Sequence, residues 1–260
     1  MGLQEYERKR RFNVTSEPPP KPRRTSTRTA ARKQALHFVV QKHRATALHY
    51  DFRLEWDGVL LSWAVPKGPS MNPADKRLSR QVEDHPLDYA DFEGIIPAGE
   101  YGGGTVMVWD RGTYESKEPD VGKAWRAGRL DITLHGTKLK GAWVLVRTGG
   151  HASKNWLLIK RHDDTASERD IVVEEPRSVK SKRLMAEIAF DEGGEVERAA
   201  GADPPDAIRA LMRDPRTRRR KPHATPSVWK SKPREAANAG QPARSQRSAT
   251  ATAQVRQNGR

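Results

Sequence analysis

HFVVQKHRATALHYDFRLEWDGVLLSWAV, residues 37–65, contains three apolar-rich stretches, the last two joined by Asp57-Gly58. Asp-Gly between such stretches is a strong hairpin signal, because both central residues of a type I′ turn need positive φ. Strands are therefore expected at 37–42, 48–56 and 59–65. Side chains alternate between the faces of a strand, so His49, Asp51 and Arg53 share one face and Leu48, Tyr50, Phe52 and Leu54 the other. One face is suited to packing and the other to chemistry. His43 joins His49 and Asp51 as two imidazoles and a carboxylate, a mixed nitrogen and oxygen set that holds a divalent ion and leaves positions open. Arg53 adds a planar guanidinium suited to a phosphate. A lone strand histidine is more often solvated than a ligand, so the whole His-x5-His-x-Asp-x-Arg spacing carries this reading.

Downstream, Pro66-Lys67-Gly68-Pro69 places Lys67 on a stiff loop. KRLSRQVEDHPLDY, residues 76–89, gathers Arg77, Glu83, His85 and Tyr89 into a second polar cluster that suits a phosphate oxygen or a leaving group. EGIIPAGEYGGGT, residues 93–105, is glycine-rich but is followed by a strand and lacks the Gly-Lys-Ser/Thr of a Walker loop. Its glycines read as bulges or close approaches in a curved sheet. Further strands are expected at 106–109, 113–115, 129–134, 141–147 and 156–160, with Trp63, Trp109, Trp125, Trp143 and Trp156 mostly in the core. His135, His151 and His162 read as surface residues. Many short strands with few helical segments indicate a mainly β fold, a closed or nearly closed antiparallel β-barrel with a few short flanking helices.

Charge divides the chain. Residues 1–34 carry 10 Lys and Arg against 3 Asp and Glu, residues 207–260 carry 14 against 2, and the middle holds 24 against 28. We expect a basic Pro/Arg-rich arm at 1–34, a folded domain at 35–200, and a disordered basic tail at 201–260 with one short helix near Asp206–Met212. Basic ends point to a polyanion, foremost nucleic acid, and sequence-independent DNA affinity is expected of them. Neither end shows the apolar face of an interfacial helix, and no apolar run reaches the roughly 20 residues needed to span a bilayer. The N-terminus lacks the apolar core of a signal peptide, so a cytoplasmic, nucleoid-associated protein is expected. With no cysteine, thiolate ligands and nucleophiles are excluded.

Taken together, residues 38–70 and 76–110, with NWLLIKRHDD at 155–164, resemble the 3′-phosphoesterase domain of bacterial DNA ligase D, which also occurs as a stand-alone protein. The resemblance implies a β-barrel enzyme with a divalent metal, usually manganese, that trims DNA 3′ ends in nonhomologous end-joining. A diesterase step removes a terminal ribonucleoside and a monoesterase step converts the 3′-phosphate to a hydroxyl. On matching positions it implies His43, His49 and Asp51 as metal ligands and Arg53 and His85 as phosphate holders. Gln41, Lys67, Arg77, Glu83 and Tyr89 match further polar positions around the site. A family pattern resembling Tyr-x-x-Lys-Arg-Asp-Phe reads YERKRRF at 6–12, with Arg11 at the acidic position, whereas Glu17 matches. Implied partners are primer-template 3′ ends, a DNA ligase and Ku; a monomer is expected. Two other readings are a non-haem iron oxygenase, because two histidines and a carboxylate also form a facial triad, and a non-catalytic DNA-end-binding module.

Overall fold

The computed structural model describes residues 2–20 and 35–213. Ten strands form one antiparallel sheet: β1 Leu36–Arg44, β2 Leu48–Trp56, β3 Val59–Val65, β4 Arg77–Gln81, β5 His85–Pro86, β6 Gly94–Ile96, β7 Gly104–Ser116, β8 Arg129–Gly136, β9 Lys140–Arg147 and β10 Asn155–Lys160. Their order is β1-β2-β3-β4-β10-β9-β8-β7, and β7 pairs back onto β1, so eight strands close into the expected barrel. β6 extends from β7, and β5 pairs with β3. The helices are short: α1 Gln4–Arg8, α2 Val121–Ala127, α3 Ile171–Glu174, α4 Met185–Glu192, α5 Val196–Ala200 and α6 Pro205–Arg213. Among the described residues no helix is long and apolar enough to cross a membrane.

The β2–β3 turn is the one the sequence requires: Asp57 and Gly58 both have positive φ, 50° and 80°. Alternation then sorts the side chains of the first three strands. Phe38, Val40, Phe52, Leu54, Leu61 and Trp63 enter the barrel interior, where the indoles of Trp109, Trp143 and Trp156 are also buried. Val39 and Leu60 face outward and meet Val106, Val108, Tyr89, Phe92 and Tyr6 in a second, smaller cluster. A layer laid over the outside of the barrel thus covers the face that carries the histidines and Asp51.

Part of that layer comes from the segment expected to be an arm. Residues 2–20 pack on the barrel instead of extending from it: Tyr6, Thr15 and Glu17 are at most 1% exposed. The segment's charge misleads because its cations meet carboxylates on folding, Arg10 Nε with Glu17 Oε1 at 2.8 Å inside the segment and Lys9 and Arg10 with Glu83 on the barrel. Residues 21–34, and the tail from 214 on, lie outside the described residues.

Packing also passes position 200. The carboxylate of Asp203 accepts the backbone N–H groups of Met185 and Ala186 at 3.2 and 2.9 Å, capping α4, and lies 3.8 Å from the buried ammonium of Lys42. Asp203→Ala strands that ammonium and frees the helix donors, so a loss of about 3 kcal/mol or more is expected. Lys42→Met, which leaves the cap intact, should cost less. Urea midpoints of the two variants test this order.

Candidate metal centre

The β1–β2 register builds the ligand set. His43 stands opposite His49, and Gln41 opposite Asp51, so both histidines and the carboxylate project from adjacent positions on the outer face. One ligand atom from each of the three lies within 4.8 Å of the others. His43 Nδ1 is 3.6 Å from Asp51 Oδ2, and His49 Nε2 is 3.7 Å from Asp51 Oδ1. The other nitrogen of each ring is held by a backbone carbonyl: His43 Nε2 donates to Gly102 O at 2.8 Å and His49 Nδ1 to Ala47 O at 3.1 Å. These bonds fix tautomers whose lone pairs face the shared centre, the usual way a protein orients imidazole ligands. Gly102 has φ 80°, so the backbone conformation at this carbonyl favours glycine, although a Cβ there would make only ordinary contact, at 3.5 Å, with His43 Cε1. The donor set fits a divalent ion of the first transition row.

Arg53, 2% exposed, organises the ground behind the ligands. Its guanidinium donates to Gln41 Oε1 at 2.8 Å, Ser62 Oγ at 2.8 Å and Asp51 Oδ2 at 3.1 Å, with Nη1 2.9 Å from His85 Nδ1. Much of the fork read from the sequence as a phosphate clamp is thus committed to the protein. Gln41 Nε2 in turn donates to the carbonyls of Tyr89 and Phe92, both at 2.9 Å, which ties the 3-10 turn Leu87–Asp91 to the sheet. Tyr89 donates its hydroxyl to Glu17 at 3.0 Å, and Glu83 accepts from Lys9 and Arg10 at 3.1 and 3.2 Å. Arg10 completes the ring, with Nη2 3.3 Å from His85 Nε2 and its guanidinium 3.8 Å from the Tyr6 ring centroid.

This network sets the protonation states. Burial alone would raise Asp51, but the charge of Arg53 beside it holds it well below the usual carboxylate range. Burial, then the charges of Arg53 and Arg10, push His85 well below an ordinary imidazole, so it is neutral. Burial likewise lowers His49, against the pull of Asp51. In metal-free protein the unfolded chain therefore takes up protons below about pH 6.5 that the native chain refuses. Stability should fall as pH drops through that window, seen as a lower urea midpoint at about pH 5.5 than at about pH 7.5. Equal midpoints would mean that these imidazoles are charged in the native state.

Of the residues singled out from sequence, His43, His49, Asp51, Arg53, Gln41, Glu83, His85 and Tyr89 converge in this one network. Two stand apart. Lys67 is exposed on the loop after β3 and has no ion pair among the described residues. Arg77 pairs with Asp75 at 3.0 Å and lines a separate polar cavity with Ser70, Asn72 and Arg169. Strand alternation explains its displacement: Arg77 shares a face of β4 with Gln81, whose side chain accepts from Trp156 of the interior cluster, opposite to the ligand face.

A family model described as the DNA Ligase D 3′-phosphoesterase domain matches residues 41–147, the span that holds the three candidate ligands, Arg53, Glu83, His85 and Tyr89. The barrel belongs to this family. The chain is 50% identical over 188 residues to a multifunctional non-homologous end joining protein LigD of Pseudomonas aeruginosa, covering 70% of this chain and 22% of that protein. It is 45% identical over 148 residues to the LigD of Mycobacterium tuberculosis, covering 57% of this chain and 18% of that one. The chain thus spans about a fifth of the length of these curated relatives. The network around the candidate ligands also draws on residues outside the matched span, Arg10, Tyr6 and Lys9 among them. Reading residues 1–34 as an arm passes over these three. The signal that could have found them is the YERKRRF motif, which places Tyr6 and Arg10 four apart. Arg11, at the motif's acidic position, is exposed and pairs with Glu100.

Proposed function

We propose that this chain is a metal-dependent DNA 3′-end-processing phosphoesterase that removes 3′-phosphates and 3′-terminal ribonucleosides, leaving 3′-hydroxyl ends for nonhomologous end-joining. Charge balance supports the reading best. Around the ligands, Lys9, Arg10 and Arg53 are matched by Glu83, Glu17 and Asp51, and the nearby Arg11 by Glu100, with the half-exposed Glu5 a second partner of Lys9. A divalent ion would therefore bring positive charge that these carboxylates do not fully compensate, and a phosphomonoester, at about −2 near neutral pH, offsets it. Manganese is our choice of ion. Bound there, it supplies Lewis-acid polarisation of a phosphoryl oxygen or an activated nucleophile.

The protein's own groups prepare the ground state. Gly102 O and Ala47 O hold the imidazoles in the ligating tautomer, and Arg53 orients Asp51. Burial, then the charges of Arg53 and Arg10, keep the proton off His85. Neutral His85 is placed to accept or relay a proton rather than to donate one at the outset. We further propose primer-template 3′ ends as substrate, a DNA ligase and Ku as partners, a cytoplasmic, nucleoid-associated place of work, and the basic tails as sequence-independent DNA contacts.

The test is release of phosphate from a 3′-phosphorylated primer-template with manganese, beside the same duplex ending in a ribonucleoside. Metal-dependent release is expected on the first. With Arg11 where the family pattern is acidic, slower processing is expected on the second. Inertness on both, with DNA binding intact, would favour the end-binding module instead.

A further inference from the structure

Tyr101 is a half-exposed aromatic ring, 50% exposed, one residue from the carbonyl that orients His43. It rides the 97–103 loop, where Gly99 and Gly102 both adopt positive φ. Nothing in the core claims the ring. Cations hold it instead: Lys9 Nζ lies 3.3 Å from its hydroxyl and 4.5 Å from its centroid, and the Arg10 guanidinium is 5.7 Å away. Both come from the N-terminal segment that also reaches Glu83 and His85, so the ring stands where the covering layer meets the metal centre.

An aromatic ring left in water beside a cluster of cations suits a flat π-system attached to a phosphate. Base–aromatic stacking is tolerant of sequence because every base offers a π-face. We propose that Tyr101 is the stacking platform for the base of the 3′-terminal nucleotide, with Lys9 fixing the ring from the protein side. The proposal rests on the phosphoesterase reading and adds to it the feature of the substrate that is gripped: the last base, of any identity, in addition to the terminal phosphate.

The experiment uses the full chain and a single-stranded oligonucleotide ending in a 3′-phosphate, with 2-aminopurine as its last base. Fluorescence is followed in EDTA, and phosphate release separately with manganese. Stacking should quench the probe in the wild type. Y101A should lose the quench and raise KM roughly tenfold or more, with a smaller effect on kcat, and Y101F should restore the quench. On the same oligonucleotide ending in an abasic 3′-phosphate, wild type and Y101A should converge. A Y101A defect that persists on the abasic end, or an unchanged quench in Y101A, overturns the proposal while leaving phosphoesterase activity standing. A wild type that neither binds nor hydrolyses either oligonucleotide overturns the phosphoesterase reading, and this one with it.

Discussion

His49→Ala is expected to lower manganese-dependent phosphate release by about a thousandfold while leaving the barrel folded. Metal ions contribute several kcal/mol to stabilising charge in such transition states, and each 1.36 kcal/mol is tenfold in rate, which sets the scale. His49 suits the test because it is the most exposed of the three proposed ligands, 23% by side chain, and its one hydrogen bond among the described residues is to Ala47 O. Asp51, by contrast, anchors Arg53, so a defect in Asp51→Asn would mix lost ligation with a loosened network. Burial already disfavours the charged form of His49, so removing it should also ease part of the acid sensitivity of the metal-free protein. Manganese titration by calorimetry, beside denaturant midpoints, separates the effects. A variant that binds manganese and cleaves as the wild type does would remove His49 from the centre and sink the three-ligand assignment.

Why this centre was legible in sequence is local. His43, His49 and Asp51 lie on two strands joined by three residues, and their spacing fixes the face they share once both strands are recognised. The Asp57-Gly58 turn and the buried tryptophans are equally local signals. Barrel closure is not: β4 finds β10 across some seventy residues, and alternation alone names no partner strand. Nor could it say that the chemical face is the outside of the barrel. The N-terminal cover was hidden for a different reason. Its apolar content is slight, and its burial depends on Arg10, Glu17 and Glu83 cancelling one another, a condition that exists only after folding. Arg53 shows the reverse. Its position was legible but its engagement was not, because the sequence could not reveal that Gln41, Ser62 and His85 would surround the same guanidinium.

Arg10→Met is expected to be the most damaging change within residues 2–20. The side chain, 5% exposed, bonds Glu17 and Glu83 at 2.8 and 3.2 Å, and its loss leaves Glu17, among the described residues, with the hydroxyls of Tyr89 and Thr15. Breaking a buried pair from one side costs about 3–5 kcal/mol, since the stranded carboxylate keeps its desolvation penalty. Activity should fall beyond what unfolding explains, because Arg10 also lies against His85. Arg10 is one of two cations that help burial keep that imidazole neutral, so its removal raises the His85 pKa. The fraction of neutral His85 then begins to fall at a higher pH, and the acid limb of the rate profile should move upward. Arg10→Lys should sit between, keeping a charge but not the fork that reaches Glu17, Glu83 and His85 together. Melting curves with pH–rate profiles of both variants distinguish the two contributions. Wild-type melting together with an unmoved acid limb in Arg10→Met would mean that residues 2–20 ride on the barrel without taking part in its chemistry.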